Sequence, residues 1–333
     1  MHGVFYSLTL RKTSIDFASF LKFKNMKIGI LSFRPLDQQA SEEEIEMKRE
    51  AKKRGHISRI FRAAKFQMVY DKESPWFFYN GKPMKKYDVI ITRPSVVRDV
   101  DLSIALIEQM EIAGIPLFNS YQSILRAKNK IKTIQILDHY GIPVPKTVVL
   151  QRADDIVQAA KLVGGFPVIV KNPFGSFGNG VTIIESMRAL NSFLVWDKPL
   201  YLLQEYVKYS KGKDMRIFVV NGKVVGAMMR SAKKGEFRSN IELGGVGTAI
   251  DPTAEEKSIA IRAVQALDLN YGGVDVMRSK NGPVVLEVNS NQGFKALEKA
   301  TGLNVASAIV EYAVEFAERH HSYVPQYDVL EAS

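Results

Sequence analysis

Gly273-Val-Asp275-Val-Met-Arg-Ser-Lys-Asn-Gly-Pro-Val-Val-Leu-Glu287-Val-Asn289 is the stretch on which the reading of this chain turns. Two β-rich runs flank a Ser-Lys-Asn-Gly turn. Residues two apart on a strand share a face, so Glu287 and Asn289 point the same way. A hairpin closed at Asn281-Gly282 brings Asp275 beside them. Three hard oxygen side chains then converge, with no histidine or cysteine nearby. That donor set suits Mg²⁺, which takes a few carboxylates and bridges to substrate phosphates. An edge hairpin with solvated polar residues is the competing reading, and the hairpin alone leaves the two level.

Composition narrows the field. The chain has 333 residues, 46% hydrophobic and 24% charged, an ordinary globular balance. That length holds two or three cored units. No apolar run approaches a membrane span, so no membrane association is expected. Cysteine is absent, which excludes disulfides, a thiolate nucleophile and a Cys-based zinc site, and fits a reducing, cytoplasmic location. The histidines are His2, His56, His139, His320 and His321, and none sits in an H-E-x-x-H pattern. The G-x-S-x-G elbow of serine hydrolases is missing as well. A net charge of +11 favours acidic partners, but the basic residues are dispersed, and a merely solvated basic surface is the better account of them.

Residues 1–25 carry Arg11, Lys12, Lys22 and Lys24 against one acid, Asp16, with neither a clean apolar core nor a small-residue cleavage site. Met26-Lys-Ile-Gly-Ile-Leu-Ser reads as the start of a first strand, so 1–25 is expected to be an extension that precedes the native start. From Met26 a βαβ rhythm runs to about residue 120. It has a strand at 27–32, a helix opened by the capping box Ser41-Glu-Glu-Glu44, a buried strand at 87–92, a helix at 101–113 and a strand at 115–119. This is α/β, doubly wound. A helix is expected over 120–140, then strands at 147–150, 167–171, 181–184 and 200–206 with helices between. After Gly212 the pattern becomes α+β: strands 216–220 and 223–229 joined by Asn221-Gly222, a helix at 254–267, the opening hairpin and a last helix at 305–319. The expected units are 26–120, 121–206 and 207–321, with a tail at 322–333.

Three further motifs carry chemistry. Lys171-Asn-Pro-Phe-Gly175-Ser-Phe-Gly178-Asn-Gly180 follows a buried strand, and its glycines let backbone amides approach phosphate oxygens. It lacks the Gly-Lys-Ser/Thr ending of a Walker loop, and strand-like residues follow it, so a flap between two strands is the better picture. Gln204-Glu205-Tyr206-Val207 ends a strand, where backbone donors and acceptors can meet an adenine edge. Asp214-Met-Arg216, Arg230 and Arg238-Ser239-Asn240 supply arginines able to neutralise a transferring phosphoryl group. Alone, the loop reads equally well as a turn, and the other two read better as a strand end and exposed basic residues; their joint presence in this order is the signal.

That order, from a lysine through a Gly-rich flap, a strand-end hinge and arginines to Asp…Glu-x-Asn, resembles the ATP-grasp superfamily, and within it the RimK-type α-L-glutamate ligases. The resemblance covers about Met26 to Arg319. It rests on Arg126-Ala-Lys-Asn-Lys130, Val163–Lys171, Gln204-Glu-Tyr206, Gly235–Asn240, Gly273-Val-Asp275, Leu286–Asn289 and Glu298–Gly302. It implies an ATP-grasp fold behind an N-terminal pre-ATP-grasp domain. Lys130 and Lys171 would contact nucleotide phosphates beneath a flap of Gly175, Ser176, Gly178 and Gly180. Glu205, Tyr206 and Val207 would hold adenine and ribose. Asp214, Arg238, Ser239 and Asn240 would bind nearby. Arg230, Arg216 and Arg238 would serve the transferred phosphoryl group. Asp275, Glu287 and Asn289 would ligate Mg²⁺, with Mn²⁺ as a substitute. Gln292 stands where family members often have proline, and the loop Ile241–Gly245 departs from the ribosomal-protein ligases, so the pattern assigns neither a ribosomal acceptor nor a fixed amino acid.

The activity implied is ATP-dependent amide formation through an acyl phosphate. Glutamate is the favoured amine, and the acceptor an acidic peptide, a protein C-terminus or a small-molecule carboxylate. The resemblance also implies a homo-oligomer, with a tetramer as one form. A non-catalytic ATP-binding module, a ligase of the same fold with another amino acid or small-molecule acceptor, and, on charge alone, a nucleic-acid-binding protein are the other readings.

Overall fold

The computed structural model describes residues 25–70, 77–94, 100–151, 155–171, 180–193 and 201–323. Most of the expected extension and tail, and Gly175, Ser176 and Gly178 of the flap, lie outside the described residues.

The first sheet is parallel, in the order Ile57–Arg62, Lys27–Ser32, Val89–Arg93, Leu117–Phe118. The middles of its central strands, Ile28–Leu31 and Val89–Ile91, are apolar, as burial on both faces requires. The capping box forms as expected: the Ser41 hydroxyl accepts from the Glu44 N–H, the Glu44 carboxylate accepts from the Ser41 N–H, and helix Glu42–Lys53 follows. A small sheet of Phe66–Met68, Phe77–Tyr79 and Lys82–Pro83 is an addition not expected from the sequence.

The helix expected over 120–140 is two helices, Tyr121–Lys128 and Lys130–His139. Asn129 breaks the run, because its side chain accepts from the N–H groups of Ile131 and Lys132 and caps the second helix. Lys130 is thereby the first residue of that helix.

A second sheet, all antiparallel, has the order Val181–Ile184, Val168–Lys171, Tyr201–Glu205, Thr147–Leu150. The third, also antiparallel, has the order Val246–Ala249, Lys223–Ser231, Lys213–Val220, Tyr271–Ser279, Gly282–Asn289. Its edge strand Val246–Ala249 and a short helix, Lys295–Thr301, were not expected. The last helix runs to Tyr323.

Both faces of the third sheet are covered. Met215, Ile217, Val219, Val274 and Val276 pack against helix Ala254–Ala266. Phe218, Val220 and Tyr271 on the other face share a core with Val310, Ala313 and the first sheet's Ile28 and Ile30. Helix Val305–Tyr323 therefore lies between the two sheets. The face of strand Lys213–Val220 that carries Phe218 and Val220 also carries Asp214 and Arg216, by the period of two. One end of that face is core and the other is polar.

Candidate active site

The polar end is a row of charges across four strands. Register places Asp214 opposite Arg230, Arg216 opposite Asp275, and Asp275 opposite Glu287. Directly opposed residues share a face and meet side by side. Arg230 grips Asp214 through Nε and Nη2, at 2.6 Å each, and its Nη2 also reaches Asp275 Oδ2 at 2.8 Å. Arg216 forks onto the two oxygens of Asp275 at 2.8 Å each. The row is deeply buried: Arg230 is 1% exposed and Asp275 5%.

Burial favours the neutral form of Asp275, but the Arg216 and Arg230 guanidiniums outweigh it and hold the carboxyl at about 2. Burial pushes the Asp214 carboxyl up, against the pull of Arg230 and of the Ser239 hydroxyl that hydrogen-bonds to it. Arg230 Nη1 is buried and has no hydrogen-bond partner. A guanidinium that keeps an unused Nη1 amino group can serve an anion.

Arg230 is one wall of an open cavity at this end of the row. Asp214, Arg230 and Asp275 line one side, and Lys130, Lys171 and Glu287 another. Glu205, Tyr206 and Val207, at the end of strand Tyr201–Glu205, line it from the second sheet, and Arg238, Ser239 and Asn240 from the loop between strands Lys223–Ser231 and Val246–Ala249. Lys130 Nζ lies 3.3 Å from Glu287 Oε1. Burial lowers the Lys171 ammonium to about 8, although Glu287 pulls it the other way. Lys171 ends its strand opposite Val181, and Gly180, with φ +76°, leads into the returning strand.

Four predicted residues are placed differently from the rest. Gly180, Arg216 and Asn289 do not line the cavity. Arg216 commits its fork to Asp275 and so orients that carboxylate. Arg238 does line the cavity, but Glu236 accepts from its Nε at 3.1 Å and its Nη2 at 2.8 Å. The hydrogen bonds from Arg238 hold the Glu236 carboxyl at about 2. The sequence reading missed Glu236, whose partner is only two residues away.

It also missed the apolar wall of Ile169, Met277, Phe237 and Leu286. Ile169 and Met277 were within reach, because each is two residues from a named site residue, Lys171 or Asp275, on the same strand face. Leu286 was not. A register shift between Asp275 and Val276 makes Leu286 the extra residue of a bulge, so Leu286 and Glu287 both line the cavity where strict alternation would separate them.

The donor set fits a hard divalent cation. Asp275 is ionised, and its Oδ1 accepts only from Arg216 Nε, which leaves a lone pair. Glu287 faces it from the paired strand, and the Asn289 amide lies two residues on. Among the described residues no cluster of three His, Cys, Asp or Glu side chains that could hold a metal ion exists.

Residues 127–313 match the family described as the RimK-like ATP-grasp domain, and residues 26–124 the RimK PreATP-grasp domain. The chain belongs to the RimK-like ATP-grasp family, and as such is an ATP-dependent ligase. A protein of Methanococcoides burtonii named probable alpha-L-glutamate ligase is 38% identical over 291 residues, 86% of this chain and 95% of that one. One of the same name from Coxiella burnetii is 36% identical over 302 residues, 90% of this chain and 98% of that one. Among solved structures, the ATP-grasp ligase PsnB with its minimal precursor superposes with a TM-score of 0.68 at 18% identity, covering 88% of this chain and 99% of that one. The D-alanine–D-alanine ligase of Bacillus anthracis superposes at 0.61 with 18% identity, covering 89% and 99%. The two structural likenesses are likenesses of fold. Among the described residues no helix is long and apolar enough to cross a membrane.

Proposed function

We propose that this chain joins a carboxylate to an amine through an acyl phosphate made from ATP, with Mg²⁺ as cofactor. Glutamate is the amine donor and an acidic or C-terminal carboxylate the acceptor. The observation that carries the reading is Arg230, whose buried Nη1 has no partner and which lines one cavity with Lys130 and Lys171.

The acceptor carboxylate oxygen attacks the γ-phosphorus as the bond from phosphorus to the bridging oxygen breaks, and ADP leaves with the electron pair. The amine nitrogen then attacks the acyl carbon, phosphate departs, and the surplus amine proton passes to phosphate or water. Neither step requires a protein nucleophile. Lys130, Lys171 and Arg230 neutralise the oxygens on which charge accumulates. The hinge Glu205–Val207 holds the base, and the backbone amides of the Gly-rich segment are suited by their composition to bind phosphate. Arg216 acts on Asp275 and not on substrate. Asp275, Glu287 and Asn289 would hold Mg²⁺, which when bound draws charge from the phosphates and orients them.

The names of the relatives support glutamate, and a neighbour solved with its precursor peptide supports a peptide-sized acceptor. ADP release from Mg-ATP, measured against a matrix of amino acids and acidic acceptors with products read by mass, tests the reading. It should require both an acceptor and an amino acid, and Asp275→Ala or Glu287→Ala should abolish it. Full turnover in either variant would overturn the metal assignment, and ADP release that never changes an acceptor's mass would overturn the ligase.

A further inference from the structure

The segment 205–214 is a partition. On one side lies the cavity described above, and on the other lie two clefts that the ligase reading leaves unused. Glu205, Tyr206 and Val207 line both the cavity and the first cleft. Ser210, Lys211 and Asp214 line both the cavity and the second. Tyr209, 74% exposed, lines each cleft, which makes the two one groove along the outside of the hinge. Its walls are tied together. Ser210 Oγ donates to the Arg278 carbonyl at 2.7 Å and accepts from the Arg278 N–H at 3.0 Å. The Glu205 N–H donates to the Lys146 carbonyl, and the Ala232 N–H to that of Gly212, at 2.8 Å each.

Basic residues that are dispersed along the chain gather here. Lys208-Tyr-Ser-Lys211-Gly-Lys213 carries three lysines in six residues and no acid. The fold adds Lys146, just before strand Thr147–Leu150, and Lys280, in the turn of the last hairpin. All five lysines are exposed, and among the described residues none of them forms an ion pair. Two carboxylates face them, Glu205 and Asp214. Arg230 already neutralises Asp214, and Glu205 Oε2 accepts from the Lys146 N–H at 3.3 Å. The groove thus keeps a surplus of positive charge, and a cleft lined by one sign of charge concentrates the opposite one. The lining also selects among anions. Arg278 donates to Glu256 through Nε at 2.6 Å and Nη2 at 3.2 Å, so its fork is taken and not offered to a phosphate. Tyr209 is the exposed aromatic of the groove, where a channel for single-stranded nucleic acid presents a succession of them. Ammonium groups on flexible stems, set along an open groove, match the carboxylates of an extended acidic chain.

We propose that this groove docks an acidic peptide segment of the acceptor along the outside of the hinge, away from the carboxyl group that reacts. This rests on the ligase reading, since it names the part of the acceptor by which the enzyme holds it. Lys146, Lys208, Lys213 and Lys280 do not line the nucleotide cavity, so docking acts on the acceptor's affinity and leaves the nucleotide's alone.

Fluorescence anisotropy of labelled hexaglutamate with the full chain, at about 20 mM salt where exposed charges are weakly screened, tests the assignment. The groove variant combines Lys146→Glu, Lys213→Glu and Lys280→Glu. A control with the same change in net charge combines Lys52→Glu, Lys85→Glu and Lys86→Glu, all exposed on the first unit. The groove variant should bind hexaglutamate about 10- to 100-fold more weakly than the parent, the sum of three exposed charge contacts, and the control within about threefold. Both should keep the parent's affinity for Mg-ADP; if the groove variant does not, the same three lysines changed to glutamine carry the comparison. Equal hexaglutamate affinity in groove and control variants would overturn the proposal. So would a parent that binds no hexaglutamate, or one that binds oligouridylate as tightly through the same lysines. Groove-dependent peptide binding by a protein that joins no amino acid to any acceptor would uphold the docking and bring down the ligase reading instead.

Discussion

Arg230→Met strikes the charge row at its most buried point. Arg216, Arg230, Asp214 and Asp275 sum to zero charge when all are ionised; without Arg230 the set carries one uncompensated negative charge. Asp275 keeps the Arg216 fork, so the stranded group is Asp214, left with the Ser239 hydroxyl. Breaking a buried ion-pair set from one side costs about 3–5 kcal/mol. The cost depends on pH. Burial already pushes Asp214 up, and without the guanidinium it rises further, so the folded variant holds a proton that the unfolded chain has released. Stability falls with rising pH wherever the folded state binds more protons. The variant should therefore lie nearest to the parent at about pH 4–5 and fall away toward neutrality. Adding Asp214→Asn removes the stranded charge and should restore about 2–4 kcal/mol together with a flat pH response. Urea unfolding of the parent, both single variants and the double variant at about pH 5 and pH 8 measures this. Turnover should return in neither the single nor the double Arg230 variant, because the Nη1 donor is absent from both. A loss below about 1 kcal/mol in Arg230→Met, or a double variant no more stable than the single, would refute the reasoning.

Lys171 gives a second pH signature. Burial lowers its ammonium to about 8, and an anionic nucleotide favours the protonated form, so ADP affinity should hold steady below that pH and fall above it by up to about tenfold per unit. Lys171→Arg should remove the alkaline limb, and a parent protein with a flat profile to about pH 9.5 would contradict the shift. Gly245→Ala places a methyl 2.3 Å from the Ser239 carbonyl oxygen and 2.9 Å from that of Asn240. It should cost about 1–3 kcal/mol of stability and weaken ADP binding, read by melting and titration. Asn129→Ala removes the cap in front of Lys130. It should cost about 1 kcal/mol and raise the KM for ATP, whereas an unchanged KM would mean that the helix start does not set the lysine.

Much of this was legible because the signals were local. Asn221-Gly222 and Asn281-Gly282 close two hairpins, and the period of two then fixes which residues share a face; Asp275 does stand opposite Glu287. The parallel sheet was legible from its apolar runs. Elements with weak or interrupted patterns were not. Strand Val246–Ala249 is an edge with little buried surface, and Ile57–Arg62 packs on one side only. The break at Asn129 carries neither glycine nor proline, so it is invisible until the side chain is seen turning back onto the next turn of helix.

The site's central ion pair was beyond reach for a different reason. Each hairpin could be assembled from its own turn, but Arg216 and Asp275 belong to different hairpins, 59 residues apart. Their meeting depends on the order in which the strands of the third sheet lie, with Lys213–Val220 between its own partner and the first strand of the other hairpin. No turn or local period encodes that adjacency; it follows from which apolar faces can be covered by helices Ala254–Ala266 and Val305–Tyr323 at once. The same logic brings Arg93 to Gln292 across 199 residues. Motif spacing can therefore name the groups of such a site, but whether an arginine meets a phosphate, a carboxylate or a carbonyl is decided by sheet order. Arg216 and Arg230 make the point: both are strand arginines, and one is spent on Asp275 while the other keeps an unpartnered Nη1.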